Sequence, residues 1–272
     1  MPAWPRSRPA PRTSRPSNSI RNCSRKSIST RPRPPEGRPH PAMSDEPLAF
    51  SPEQFSGRAR LFPLPNLVMF PHVMQALHIF EPRYRAMFEE AIEDDRLVAL
   101  GSLAPGWEQN YEGRPPLRPM ACLCRIATHQ RTAEGTYNVL VLGVRRLRLV
   151  RELPPKKPFR IAEAEIVEDF EPADAPADAA PALQRRLLAA FKQAMPRIPN
   201  AYEQLDQLLG NQITLGMLAD IVSYTVDLDL EAKAALLAEC DVFRRTEMLL
   251  QAITARGNAG PSRTFPPDFS AN

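Results

Sequence analysis

Short runs of aliphatic and β-branched residues recur between residues 58 and 170, and Gly, Pro or polar clusters bound them. The runs are Leu97–Leu100, Ala121–Ile126 and Tyr137–Leu142, then Leu147 with Leu149, then Phe159 with Ile161, Ala162, Ala164 and Ile166. This pattern is typical of β-strands. Glu134-Gly135 predicts a hairpin turn, because glycine takes the positive φ that tight turns need. Five or more short strands favour a compact barrel or sandwich.

One stretch within this β-rich region has helical periodicity. Apolar residues recur at helical spacing between Pro82 and Asp94, and a proline suits the first turn of a helix. The predicted buried stripe is Tyr84, Met87, Phe88 and Ala91. Charged residues off that stripe are expected on a solvated face, namely Arg83, Arg85, Glu89, Glu90 and Glu93.

The periodicity becomes helical after residue 181. Residues 171–181 are rich in Pro, Ala and Asp and predict a linker between a β-rich lobe at 58–170 and a helical bundle at 182–256. Asp229 and Asp241 are predicted N-caps. The predicted stripes are Leu183, Leu187, Phe191 and Met195; Tyr202, Leu205, Leu208 and Leu209; Leu215, Leu218, Val222 and Thr225; and Val242, Thr246, Leu249, Leu250 and Ile253. Residues 257–272 predict a flexible tail.

Residues 1–42 contain ten prolines, nine arginines and one lysine against the single acid Glu36. With so few large aliphatic side chains the segment is predicted to be disordered. Its Arg- and Ser-rich composition also fits an organelle transit peptide, although prolines interrupt an amphipathic helix. Met43 begins an ordinary soluble N-terminus, and our hypothesis is that translation starts there and that residues 1–42 are not translated.

The net charge of +4 is an effect of this segment. The segment has a local net charge of +9, which leaves residues 43–272 at about −5. The expected folded region therefore offers no electrostatic footprint for phosphate backbones. The sequence contains no run of 18 apolar residues and no apolar secretory signal, so we expect no membrane association and a cytoplasmic location.

No catalytic or metal motif stands out. Cys122 and Cys124 alternate in a predicted strand, where we expect buried, reduced thiols, and no second Cys pair or nearby His completes a zinc site. His72, His78 and His129 belong to no nucleophile motif. We therefore expect no cofactor and no metal. A hydrolase whose catalytic groups meet only in space stays an alternative.

Two segments are candidate binding sites. Leu67, Val68, Met69, Phe70 and Pro71 form an apolar run that is long for a surface turn, and an exposed Met/Phe surface would suit loose recognition of apolar polypeptides. The alternative is that the run caps the barrel core. Arg145, Arg146 and Arg148 are an alternative nucleic-acid contact, although alternation with Leu147 and Leu149 also fits the polar face of a strand.

Several motifs resemble one family. The sequences LFPLPNLVMFPH at 61–72 and LHIFEPRYR at 77–85 are similar to the opening of the N-terminal substrate-binding domain of Lon proteases. GVRRLR at 143–148, ADIV at 219–222 and LLAECDVFRR at 236–245 extend the resemblance, which covers about 58–255. It implies an α+β fold, with a PUA-like β-barrel lobe that carries one packed helix, followed by a C-terminal helical bundle.

The resemblance also implies a function. In that family the domain engages unfolded or tagged polypeptides and helps assembly. The sequence has no G-x-x-x-x-G-K-[ST] loop and ends before a Lon ATPase or peptidase would begin. We therefore expect a stand-alone, non-enzymatic, ATP-independent polypeptide-binding or adaptor module, whose partner is an unfolded or tagged polypeptide, a protease or a chaperone. A PUA-like RNA-binding protein is the main alternative, but nucleic acid is not the expected partner.

Overall fold

The computed structural model describes residues 50–110, 113–194 and 213–257. The predictions for residues 1–42, for Met195, for the stripe Tyr202–Leu209 and for the tail after residue 257 lie outside these ranges. The described residues belong to one compact unit, Leu48–Asn272. Strands fill its first part and helices its second, so the fold is α+β, as predicted.

In the described residues, six strands form one mixed sheet in the order β2-β5-β4-β3-β1-β6, with a further pairing of β5 and β6. They are β1 Arg58–Leu64, β2 Met74–Ile79, β3 Leu97–Leu103, β4 Leu117–Arg131, β5 Tyr137–Glu152 and β6 Arg160–Val167. The pair β1 and β3 is parallel, and the other pairs are antiparallel. The pairings join β1, β3, β4, β5 and β6 into a closed ring, and β2 attaches outside it to the first half of β5.

Ala and Leu side chains from all five ring strands form one buried cluster. Its buried members are Ala59 and Leu61 of β1, Leu97 and Ala99 of β3, Ala121 and Leu123 of β4, Val144 and Leu147 of β5, and Ala162 and Ala164 of β6. In most of the strands these residues are two apart, so they lie on one face of the sheet. The opposite face packs against helices and forms a second, larger cluster.

The predicted hairpin turn is confirmed, but the extent of its strands was wrong. Gly135 has φ +79°, and β4 and β5 pair from Arg131 opposite Tyr137 onward. The runs at 137–142 and 147–149 belong to the single strand β5. They looked separate because Gly143 and two arginines interrupt the alternation of apolar residues.

The helix α1 spans Pro82–Glu93 and buries the four residues predicted for its stripe. Its polar face is less solvated than expected. Arg60 of β1 donates to Glu90 at 2.9 Å and to Asp95 at 2.7 Å, and it also pairs with Asp94. Tyr137 donates its hydroxyl to Glu89 at 3.0 Å. The carboxylates at the end of α1 therefore tie the helix to the sheet.

Four further helices follow in the described residues: α2 Ala179–Ala194, α3 Leu215–Thr225, α4 Leu230–Ala238 and α5 Val242–Gly257. Both predicted caps are confirmed. The Asp229 carboxylate accepts from the Ala232 amide at 2.7 Å, and the Asp241 carboxylate accepts from the Phe243 amide at 2.9 Å. None of the described helices is long and apolar enough to cross a membrane.

Candidate functional site

The outward face of β2, with the residue that follows it, carries two of the four large apolar side chains that are exposed in the described residues. Side chains alternate along the strand, so Leu77 and Ile79 point into the core. The other side carries Met74, Ala76, His78 and, directly after the strand, Phe80, and we call these four residues the β2 face. Met74 is 49% exposed and Phe80 is 41% exposed. A large part of two apolar side chains therefore meets solvent on one short strand.

The first half of β5 extends the β2 face. Leu142, Leu140 and Asn138 stand opposite Met74, Ala76 and His78 in the register of the two strands. Directly opposite residues point to the same side of a sheet, so the half-buried leucines widen the apolar surface. His78 and Asn138 are hydrogen-bonded across the strands, with 2.7 Å between Nδ1 and Oδ1. The His78 ring is stacked with Phe80 at 6.2 Å between centroids.

The far edge of β2 is open. Within the described ranges the strand pairs only with β5 and ends the order of the sheet. The main-chain N–H and C=O groups on the far edge therefore have no strand partner there. An open edge beside an apolar face can add a further extended chain, because the main chain supplies hydrogen bonds and the face supplies pockets for side chains.

Helix α3 supports β2 from the core side. Tyr224, near the end of α3, donates its hydroxyl to the side chain of Gln75. Lys233 of α4 donates to the Tyr224 carbonyl at 2.7 Å, and its ammonium lies 5.7 Å from the centre of the Tyr224 ring. Burial lowers the pKa of Lys233 to about 8. The strand that carries the exposed face is thus held on its core side by α3, which α4 contacts in turn.

The low pKa of Lys233 predicts a pH-dependent stability. Between pH 8 and 10.5 the unfolded chain binds more protons at this lysine than the folded chain does, so the lysine's destabilising effect fades as pH rises. The substitution Lys233→Met should raise the free energy of unfolding by about 1–2 kcal/mol at pH 7, because an ammonium is no longer desolvated. Urea unfolding of both proteins at pH 7 and pH 10 should show the gain shrinking. A gain that is the same at both pH values would contradict this explanation.

The structure places most of the sequence-predicted apolar segment in the core. Val68, Met69, Phe70 and Pro71 are buried, with exposures of 2% or less for the first three, and Leu67 is half-buried. These four side chains therefore belong to the core, as the alternative interpretation of the apolar run expects. We correct the predicted contact accordingly: while the domain keeps this structure, the four buried side chains are not available to a polypeptide.

Gly143 explains why this segment can pack so tightly. The His72 amide donates to the Gly143 carbonyl at 2.8 Å, and the Gly143 amide donates to the Val73 carbonyl at 2.9 Å. A Cβ atom on Gly143 would lie 2.0 Å from the Phe70 carbonyl oxygen. Only glycine fits where two backbones approach this closely.

A buried network of charges joins β5 to the helices. Arg146 of β5 binds Asp220 of α3 through two hydrogen bonds, at 2.5 and 3.1 Å. Arg245 of α5 binds Asp169 at 2.5 and 3.0 Å, and its Nε lies 3.5 Å from Asp220. Asp220 and Arg245 are fully buried and Arg146 is 2% exposed. The network fixes the position of α3, which in turn contacts β2.

The same network corrects the alternative nucleic-acid contact. Arg146 lies inside the molecule and is neutralised by Asp220, so it cannot meet a phosphate. Arg148 is exposed and pairs with Glu165 at 2.5 Å. Arg145 lies 3.4 Å from Glu168 and 5.5 Å from the Phe50 ring centre. The three arginines therefore do not present a joint basic surface.

A concave surface lies between β4 and α4. It is a cleft of about 250 Å³, and Arg118 and Glu231 form an ion pair among its lining residues. Most of the other lining side chains are small or apolar: Val68, Ser102, Pro119, Met120, Ala234, Ala235, Leu237 and Ala238. The cleft is smaller than most ligand sites, and its two charged side chains, Arg118 and Glu231, neutralise each other.

The cysteines and histidines form no common site in the described residues. Cys122 and Cys124 are free and fully buried in β4, as predicted, and burial raises the pKa of Cys122 well above its usual value. In the described residues no three His, Cys, Asp or Glu side chains come together in a way that could hold a metal ion. His129 lies in β4, paired in register with Val139 of β5.

The fold and the β2 face define a class of protein: an α+β domain that exposes an apolar sheet face beside an open strand edge. Residues 58–255 match the family model of the ATP-dependent protease La (LON) substrate-binding domain. The chain therefore belongs to the family of LON substrate-binding domains. The match is to this domain alone, and not to the protease or ATPase domains of such enzymes.

Curated relatives are Lon proteases of bacteria. Lon protease 2 of Myxococcus xanthus is 26% identical over 197 residues, which are 72% of this chain and 23% of that protein. The Lon protease of Roseiflexus castenholzii is 28% identical over 192 residues, which are 70% of this chain and 23% of that protein. The chain thus spans about a quarter of the length of the curated relatives it matches.

Solved structures show the same fold. The crystal structure of a Lon N-terminal domain protein from Xanthomonas campestris has a TM-score of 0.53, with 19% identity over 71% of this chain and 97% of that one. The N-terminal domain of a Lon protease from the Mycobacterium avium complex has a TM-score of 0.56, with 19% identity over 72% of this chain and 98% of that one.

Proposed function

We propose that this chain is a polypeptide-recognition module and that extended, apolar stretches of unfolded polypeptides bind the β2 face and the open edge of β2. The observation that carries the proposal is the coincidence of exposed Met74 and Phe80 with an unpaired strand edge. Membership of a substrate-binding family supports it independently.

The chemistry of the surface suits loose recognition. Hydrogen bonds to an open edge use only the main chain of the bound polypeptide, so they do not depend on its sequence. Met74 is unbranched and polarizable and adapts to different apolar side chains, while Phe80 offers a flat ring. The β2 face itself carries no Asp, Glu, Lys or Arg. We therefore expect a preference for extended segments with alternating apolar residues.

We also infer the finer features of the module. The closed ring of strand pairings fits a PUA-like barrel, and the helices after residue 178 fit a bundle that packs against it. We propose lobes at 58–170 and 182–256 with a linker at 171–181, the last three residues of which form the first turn of α2. The module serves as an adaptor in the cytoplasm, without ATP hydrolysis of its own, and delivers its polypeptide to a protease or chaperone.

Polypeptide capture tests this function. Fluorescence anisotropy of a labelled, permanently unfolded polypeptide, such as reduced and carboxymethylated α-lactalbumin, should rise on titration with the full chain. The double substitution Met74→Ser/Phe80→Ser should weaken binding about tenfold or more, because two exposed apolar contacts together contribute about 1.5–3 kcal/mol.

The chain offers a matched control. Val150 and Phe170 are 54% and 56% exposed but lie away from the residues that β2 contacts. The variant Val150→Ser/Phe170→Ser removes similar apolar surface and should bind as the unaltered protein does. Equal losses in both variants would indicate nonspecific adhesion, and no binding by the unaltered chain would refute the function itself.

A further inference from the structure

The end of the last described helix is linked through α3 and the residues after it to the strand that carries the β2 face. Arg256, one residue before the end of α5, binds Asp227 at 2.6 Å, and Asp227 follows α3 by two residues. Tyr224 of α3 contacts Gln75 of β2. Two side-chain contacts, joined through residues 224–227, therefore link the end of α5 to Gln75, whose side chain lies on the core side of β2 and not on the β2 face.

The residues that continue from this point contain apolar anchors. Residues 258–272 read NAGPSRTFPPDFSAN, with two aromatic residues, Phe265 and Phe269. A chain of 15 residues spans up to about 50 Å when extended, so the segment is long enough to reach surfaces beyond the end of α5. The seven residues between Gly257 and Phe265 already reach roughly 25 Å.

The composition of this segment fits the face of the sheet better than its edge. Pro266 and Pro267 have no N–H group and cannot add to the open edge as a strand. Their restrained backbone can still hold the two phenylalanine rings toward an apolar surface at a low cost in entropy. Met74 and Phe80 offer the sulfur and ring contacts that aromatic side chains favour.

We propose that residues Thr264–Phe269 of this chain dock on the β2 face and compete there with polypeptides. The competition rests on the proposed function: if unfolded polypeptides bind the β2 face, a docked segment lowers the apparent affinity for them. A tethered segment has an effective concentration in the millimolar range, so even a weak contact occupies the face for much of the time. A polypeptide that also pairs with the open edge displaces it.

Docking is tested directly in the full chain by NMR of methionine methyl groups. A docked phenylalanine ring shifts the Met74 methyl signal, which is identified by its loss in Met74→Leu. The variant Phe265→Ser/Phe269→Ser should move that signal toward the position of an exposed methionine, and the control Asp268→Asn should leave it in place. A Met74 signal that is the same in all three proteins would overturn the proposal.

Polypeptide binding separates this inference from the function on which it rests. With reduced and carboxymethylated α-lactalbumin as probe, Phe265→Ser/Phe269→Ser should bind about three- to tenfold more tightly than the unaltered chain. Binding of equal strength in both proteins overturns competition by the segment but leaves the proposed function standing. No binding by either protein refutes the proposed function, while the Met74 signal still decides whether the segment docks.

Discussion

Replacing Asp220 with alanine is expected to lower the free energy of unfolding by about 3–5 kcal/mol, the range for breaking a buried ion pair from one side. Asp220 is fully buried and binds Arg146 through two hydrogen bonds, and Arg245 stands 3.5 Å away. Its removal leaves two buried guanidinium groups with less compensating charge. Urea unfolding at pH 7, followed by far-UV circular dichroism, measures the loss.

An exposed pair provides the control. Glu165→Ala removes the partner of Arg148 on the surface and should leave the free energy of unfolding nearly unchanged, because solvent screens this exposed pair. A cycle with Arg146→Ala adds a second check: the double variant Arg146→Ala/Asp220→Ala should lose clearly less than the sum of the single losses. Additive losses, or a small effect of Asp220→Ala alone, would contradict the role assigned to the network.

Replacing Gly143 with alanine is expected to cost about 3 kcal/mol or more, at or above the top of the usual range for overpacking. A Cβ atom at this position would lie 2.0 Å from the Phe70 carbonyl oxygen, and that contact is with backbone, which cannot swing aside. Either β5 or the segment at 70–73 must move, which breaks the hydrogen bonds that join His72 and Val73 to Gly143. The melting temperature and urea midpoint should both fall.

Gly101 in β3 is the matched control. A Cβ atom there would meet its nearest neighbour, a Leu117 methyl, at 3.5 Å, which is an ordinary contact. Gly101→Ala should be neutral or stabilise the protein by up to about 1 kcal/mol, because alanine restricts the unfolded chain. If both substitutions had the same effect, the close approach at Gly143 could not be the cause.

Helix α1 was predictable from the single stripe that it buries, and helices α4 and α5 from the aspartates at their starts. Tyr84, Met87 and Phe88 recur at the spacing of a helical turn, and all three are buried. Asp229 and Asp241 accept hydrogen bonds from the amides two or three residues later. These features act within a few residues, so the sequence displays them without knowledge of the fold.

Strand β5 was predicted in two pieces because its middle does not follow the alternation of an ordinary strand. Gly143 is required because the backbone of Phe70 approaches it closely. Arg146 can be buried because it pairs with Asp220, which lies on a helix 74 residues later. Neither cause is local. A charged residue inside an apolar helix, such as Asp220 between Ala219 and Ile221, was the available signal that a buried partner exists.

The candidate site was missed for a related reason. The apolar run at Val68–Phe70 is more hydrophobic than β2, yet it is buried, while Met74 and Phe80 are exposed. Hydrophobicity predicts burial on average but does not tell which apolar residue the topology leaves outside. Here exposure follows from the position of β2 at the end of the sheet order, and this order depends on pairings between distant strands.

Amide hydrogen exchange is the most direct test of the claim that polypeptides bind along β2. The full chain is exchanged with and without saturating reduced and carboxymethylated α-lactalbumin, and peptides covering Met74–Phe80 are compared with peptides covering Leu147–Glu152. Pairing at the open edge should slow exchange in the first set and leave the second unchanged. Saturated binding with no change of exchange across Met74–Phe80 would contradict the account.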